Sequence, residues 1–168
     1  MKKYLHEVGK RNFDNRTVTI TDPCYDKGTW CTAKTDELPA GDYVLLYFTK
    51  KCWYKGPSDV KRDYFERIAA NAIVLDSAYD SFVNGECKKE YLNEIGVDAG
   101  QAGYYQDKPD YDDDAWYDFC EELRQNKHLF NVTKEGFCTE SGWGDGCYPV
   151  SIIKKDGKPV GLTIDFLF

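Results

Sequence analysis

The C-terminal stretch constrains the fold most. Two apolar runs, Tyr148 to Ile153 and Val160 to Phe168, flank Lys155-Asp156-Gly157-Lys158. Asp-Gly suits the two central positions of a type I′ turn, whose twist matches that of two antiparallel strands. The chain therefore closes on a β-hairpin, and the earlier segments read the same way. Thr17-Val18-Thr19-Ile20-Thr21 is β-branched throughout and ends at Asp22-Pro23, a strand running into a turn. Pro39-Ala40-Gly41-Asp42 is turn chemistry, and Tyr43 to Phe48 follows as a strand of near-continuous apolar character. Between Val60 and Tyr79 two patterns compete. Phe65, Ile68, Ala69 and Ala72 fit a helix, whereas Ile68 to Leu75 fits a strand, which is preferred over that second half.

One helix stands out, over residues 113–126. Asp112 or Asp113 can cap it, acidic residues fill its first turn, and Arg124 and Lys127 sit near its end. Trp116, Phe119, Cys120 and Leu123 recur at spacings of three and four, which gives one apolar stripe to pack on a core. The expected architecture is mainly β or α+β: an antiparallel sheet or sandwich with this amphipathic helix packed on it. At 168 residues, without a Pro/Gly/Ser linker or an internal repeat, the chain reads as a single domain over 1–168.

Charge narrows the partners. The net charge is −7, and the Lys and Arg residues are scattered, which argues against duplex nucleic acid and against anionic membrane surfaces. No apolar run follows Met1-Lys2-Lys3, and no stretch approaches the roughly 20 apolar residues of a membrane helix. A cytoplasmic protein is expected. The seven cysteines (24, 31, 52, 87, 120, 138 and 147) include no Cys-x-x-Cys pair, and with His6 and His128 far apart they do not suggest zinc; most of them read as reduced, buried side chains. No metal is assigned. Asp110, Asp112, Asp114 and Glu121 have the spacing of calcium-loop positions 1, 3, 5 and 12, but Ala115 stands where the sharp turn needs Gly. That acidic run is read as the start of the helix.

Three short motifs share a form, an acid beside a small or turn-forming residue at the end of an apolar run. They are Thr21-Asp22-Pro23-Cys24-Tyr25, Val97-Asp98-Ala99-Gly100, and Ser141-Gly142-Trp143-Gly144-Asp145-Gly146-Cys147-Tyr148. Each can be an Asx-type turn, its carboxylate bonded to local N–H groups. If the turns converge on one rim, they instead make a site. Trp143, with Tyr104, Tyr105 or Tyr148, could then stack a flat ring, and backbone N–H groups of the glycine loop could form a small anion nest. Phosphates would need Lys or Arg nearby. Cys24 lacks a recognisable activating base and is read as an inert thiol, and no Gly-x-Ser-x-Gly elbow surrounds Ser141.

On these motifs (22–25, 97–100 and 142–148) the chain resembles an uncharacterised family of bacterial and phage proteins. The resemblance implies a compact, mainly β domain with no established activity. It draws attention to Asp22, Cys24, Asp98, Gly100, Asp145 and Gly146.

The reading that follows is a small polar-ligand-binding protein, its ligand a nucleotide-derived molecule in one version that a phage protein would sequester. The ligand-binding residues are Asp22, Cys24, Tyr25, Asp98, Gly100, Trp143, Asp145, Gly146 and Tyr148. Two alternatives stay open: a metal-dependent hydrolase using the same carboxylates, and an interaction module or inhibitor whose acidic, aromatic face meets a basic partner.

Overall fold

The computed structural model describes residues 3–53 and 64–167. These residues form two antiparallel sheets. In the first, β1 (Lys3–Phe13), β4 (Gly41–Trp53), β5 (Tyr64–Leu75), β11 (Lys158–Asp165), β10 (Gly146–Lys155) and β6 (Lys88–Val97) lie side by side in that order. In the second the order is β3 (Ala33–Thr35), β2 (Val18–Thr21), β7 (Gln101–Tyr105), β9 (Gly136–Glu140) and β8 (Phe130–Val132). The ambiguous tract resolves as strand from Tyr64 to Leu75, then a 3₁₀ turn at Asp76–Ala78 and a short helix, α1 (Tyr79–Val83). Its first residues, 60–63, lie outside those described.

The apolar run of β4 is explained by burial on both faces. Tyr43, Leu45 and Tyr47 enter the core between the sheets with Ile73 and Leu162. Val44 and Leu46 face the other way, onto Ala78, Val74 and the Phe82 of α1. Leu45, Ile73 and Leu162 are at most 1% exposed, and each contributes roughly 2 kcal/mol by leaving water. A polar residue crosses this core. Asn71 of β5, fully buried, donates through Nδ2 to the Ala102 carbonyl (2.8 Å) and the Thr139 hydroxyl (2.9 Å) of the second sheet, and its Oδ1 accepts from the Tyr104 hydroxyl (2.7 Å).

The helix expected at 113–126 is α2 (Asp113–Gln125). The Asp112 side chain caps it, accepting from the Ala115 N–H at 2.9 Å. Its stripe packs on the outer face of the second sheet: Phe119 is buried against Tyr105 and Cys138, with Trp116 and Tyr111 beside them. The closing hairpin has the expected turn, with Asp156 and Gly157 both at positive φ (49° and 76°). No helix among the described residues is long and apolar enough to cross a membrane, and all seven cysteines are free thiols.

Candidate functional site

Asp22 directly follows β2 and joins two of the three acidic turns. Its carboxylate is wholly buried. Oδ1 accepts from the Cys24 N–H (2.9 Å), which is the local Asx turn over Pro23. Oδ2 accepts from the N–H groups of Asp98 (2.8 Å) and Ala99 (2.6 Å), so the same side chain captures the turn between β6 and β7. Three N–H donors satisfy this carboxylate from within the protein.

The turn at 97–100 in turn holds the glycine loop, because the Gly100 carbonyl accepts from the Ser141 N–H at 2.9 Å. Inside the loop, the Ser141 and Tyr148 hydroxyls both donate to the Gly144 carbonyl, at 2.6 and 2.8 Å. Gly142 sits at φ +67°, and a Cβ there would lie 2.2 Å from the Ile68 carbonyl oxygen. No other residue fits that place. The three motifs are thus one connected structure, although they are far apart in sequence.

The nominated residues separate into three groups. Tyr25, Asp98, Asp145 and Gly146 line a single cleft of about 670 Å³. Gly100 and Trp143 line a different one, of about 350 Å³, on the other side of the glycine loop. Asp22, Cys24 and Tyr148 line neither and act as internal braces or neighbours of the turns. Burial pushes the Cys24 thiol up to about 12, with the Asp22 charge adding to the effect, so at neutral pH it is a protonated thiol.

The larger cleft is acidic and aromatic. Glu94, Asp98 and Asp145 reach it, Tyr25 and Trp30 form aromatic walls, and no Lys or Arg lines it. Trp30 is 92% exposed, an unusual position for an indole. Burial raises the Tyr25 phenol, and its contacts with the Cys31 and Asp98 side chains raise it further. Cys31 is held here by its carbonyl, which accepts from the Gly96 N–H at 2.9 Å.

The second cleft contains residues that sequence reasoning passed over. Both histidines of the chain lie near it. His128 lines the 350 Å³ cleft, and His6 lines an adjoining one of about 240 Å³; Arg67, Glu140 and Gly142 are common to both. His6 stacks on Tyr47 with ring centroids 4.6 Å apart. Its Nε2 is 2.9 Å from the Thr49 hydroxyl, which donates to Glu66 Oε1 at 2.5 Å. Arg67 lies between two rings, its guanidinium carbon 4.7 Å from the Phe65 centroid and 4.6 Å from that of Trp143. Burial raises the Glu140 carboxyl, with His128 and Arg67 opposing the rise. Nothing local in the sequence marks these residues. The register of β1 on β4, which sets His6 opposite Tyr47, and of β4 on β5 brings them together.

No family model, curated protein or solved structure matches the chain. The site therefore has to be read from its own chemistry.

Proposed function

We propose that the chain binds a small polar ligand carrying a positive charge, an amine or guanidinium, in the cleft between Trp30 and the glycine loop. The observation that carries this reading is the convergence of Tyr25, Asp98 and Asp145, from three separate turns, on one cleft without a lysine or arginine. Carboxylates supply the counter-charge, and the faces of Trp30 and Tyr25 attract a cation. A phosphate in the same place would meet three carboxylates and no cation, so the nucleotide-derived version of the reading is not the one this cleft favours. Among the described residues no three of His, Cys, Asp and Glu are grouped to share a metal ion. The acids are accordingly read as contacts to the ligand itself. Seven free thiols suit a reducing, cytoplasmic setting for this binding.

Native mass spectrometry of freshly purified protein tests whether a ligand is retained. Calorimetric titration with putrescine, agmatine and, as the opposite charge class, AMP then tests the class. Putrescine or agmatine is expected to bind, and Asp98→Asn and Asp145→Asn each to weaken that binding about tenfold, one charge-assisted contact, while both variants melt cooperatively. Binding of AMP in preference to both amines, or unchanged amine binding in both variants, overturns the proposal.

A further inference from the structure

Arg67 is held more tightly than a surface arginine and is bonded less completely than a buried one. Its side chain lies face-on between Phe65 and Trp143. Nη1 donates to the Gly142 carbonyl. Nε is buried and finds no acceptor, which is costly for a donor shut off from water. Among the described residues no carboxylate forms an ion pair with Arg67. A guanidinium cannot discharge itself by losing its proton. The structure thus keeps a permanent, partly buried positive charge without a salt bridge among the described residues, with the Glu140 carboxyl in the same clefts, at the wall shared by the two.

A purely structural clamp would explain the Gly142 bond and the two ring contacts. It leaves the open clefts and the unpaired charge without a purpose. We infer that the cleft beneath Trp143 binds a small oxyanion, carboxylate or phosphate, with Arg67 as its anchor. His128 lines the same cleft and offers a ring N–H donor. Glu140 is the opposing element, a carboxylate common to both clefts. On a chain of net charge −7, a local positive centre favours the approach of an anion. This site uses none of the residues of the cation cleft except the loop that separates them, and it stands or falls independently.

The test is an NMR titration of the full chain, following the Arg67 Nε–H and Trp143 indole N–H resonances, assigned through Arg67→Lys and Trp143→Phe. One arm uses inorganic phosphate, a second sodium acetate, and sodium chloride at matched ionic strength is the control. A saturable shift at both resonances with phosphate or acetate, absent with chloride, is expected, and the arm that responds identifies the oxyanion. Arg67→Lys keeps the charge but loses the planar fork and weakens binding by about tenfold. Glu140→Gln, which keeps the shape and removes the like charge, tightens it. No saturable shift in either arm, or an affinity that Glu140→Gln leaves unchanged or weakens, overturns the inference, and the second variant decides the matter even if Arg67→Lys does not fold.

Discussion

At the scale of single residues, Asp22 shows how one side chain serves several levels of structure. The Asx turn over Pro23 was legible in Asp22-Pro23, because the acceptor and its Cys24 donor are two residues apart. The donors from Asp98 and Ala99 are 76 and 77 positions away and left no local trace. Replacing Asp22 with Ala leaves three backbone N–H groups without their acceptor in a closed environment. The expected loss is on the order of 3 kcal/mol or more, measured by urea denaturation, and it should exceed the loss from Asp98→Ala, whose carboxylate faces the open cleft. Equal losses would mean that the turns are held by something other than this carboxylate. The cysteines give a second residue-scale prediction. Cys24 is half-buried, its thiol pushed up to about 12 by burial first and by the Asp22 charge second, whereas Cys147 is exposed at the rim of the acidic cleft. Iodoacetamide at neutral pH should therefore modify Cys147 well before Cys24, as peptide mapping would show.

Among the elements, legibility followed the strength of the local sequence signal. β7 and β9, though buried almost throughout, passed unread, and Tyr104 and Tyr105 of β7, expected to be able to stack on a ligand, are core residues. Other strands of the core announced themselves: β2 through its β-branched run, β4 through apolar residues that are needed on both faces, and the β10–β11 hairpin through Asp156-Gly157. The two outermost strands of the first sheet did not. β1 reads Lys-Tyr-Leu-His-Glu-Val-Gly-Lys-Arg-Asn-Phe and β6 reads Lys-Lys-Glu-Tyr-Leu-Asn-Glu-Ile-Gly-Val. Edge strands of this kind carry charge that blocks pairing with other chains, and that same charge erases the alternating apolar signal. β1 is further broken by a shift of register between Glu7 and Gly9. The site inherited this loss, since His6 sits on β1 and Glu94 on β6. α2 was legible to within a residue because its cap is local. Asp112→Ala removes the acceptor for the Ala115 N–H and is expected to cost about 1 kcal/mol, read as a lower melting temperature. A larger effect would show that Asp112 has a role beyond the cap.

For the whole molecule, the question is what fixes one sheet over the other, since apolar contact alone tolerates many alignments. Asn71 gives the first sheet a directional bond to the second at three points, Ala102, Thr139 and Tyr104. Its backbone carbonyl also accepts from the Thr163 hydroxyl at 2.9 Å, a bond that side-chain substitution leaves in place. Asn71→Leu, of similar size, removes the three side-chain bonds and keeps the volume. The expected cost is on the order of 2 kcal/mol, below that of an empty cavity. Asn71→Asp separates geometry from charge. In this core the aspartate holds its proton more tightly when folded than when unfolded, because burial disfavours the charged form. Its folded-state pKa is therefore raised, and the variant is least impaired below about pH 3.9, the unfolded value. The deficit relative to wild type must then grow as pH rises, up to the folded-state value, and level off above it. Melting temperatures of both proteins from acid to neutral pH check the sign. A deficit that shrinks as pH rises would show that a cation or hydrogen-bond donors around residue 71 favour the charged form more strongly than burial opposes it.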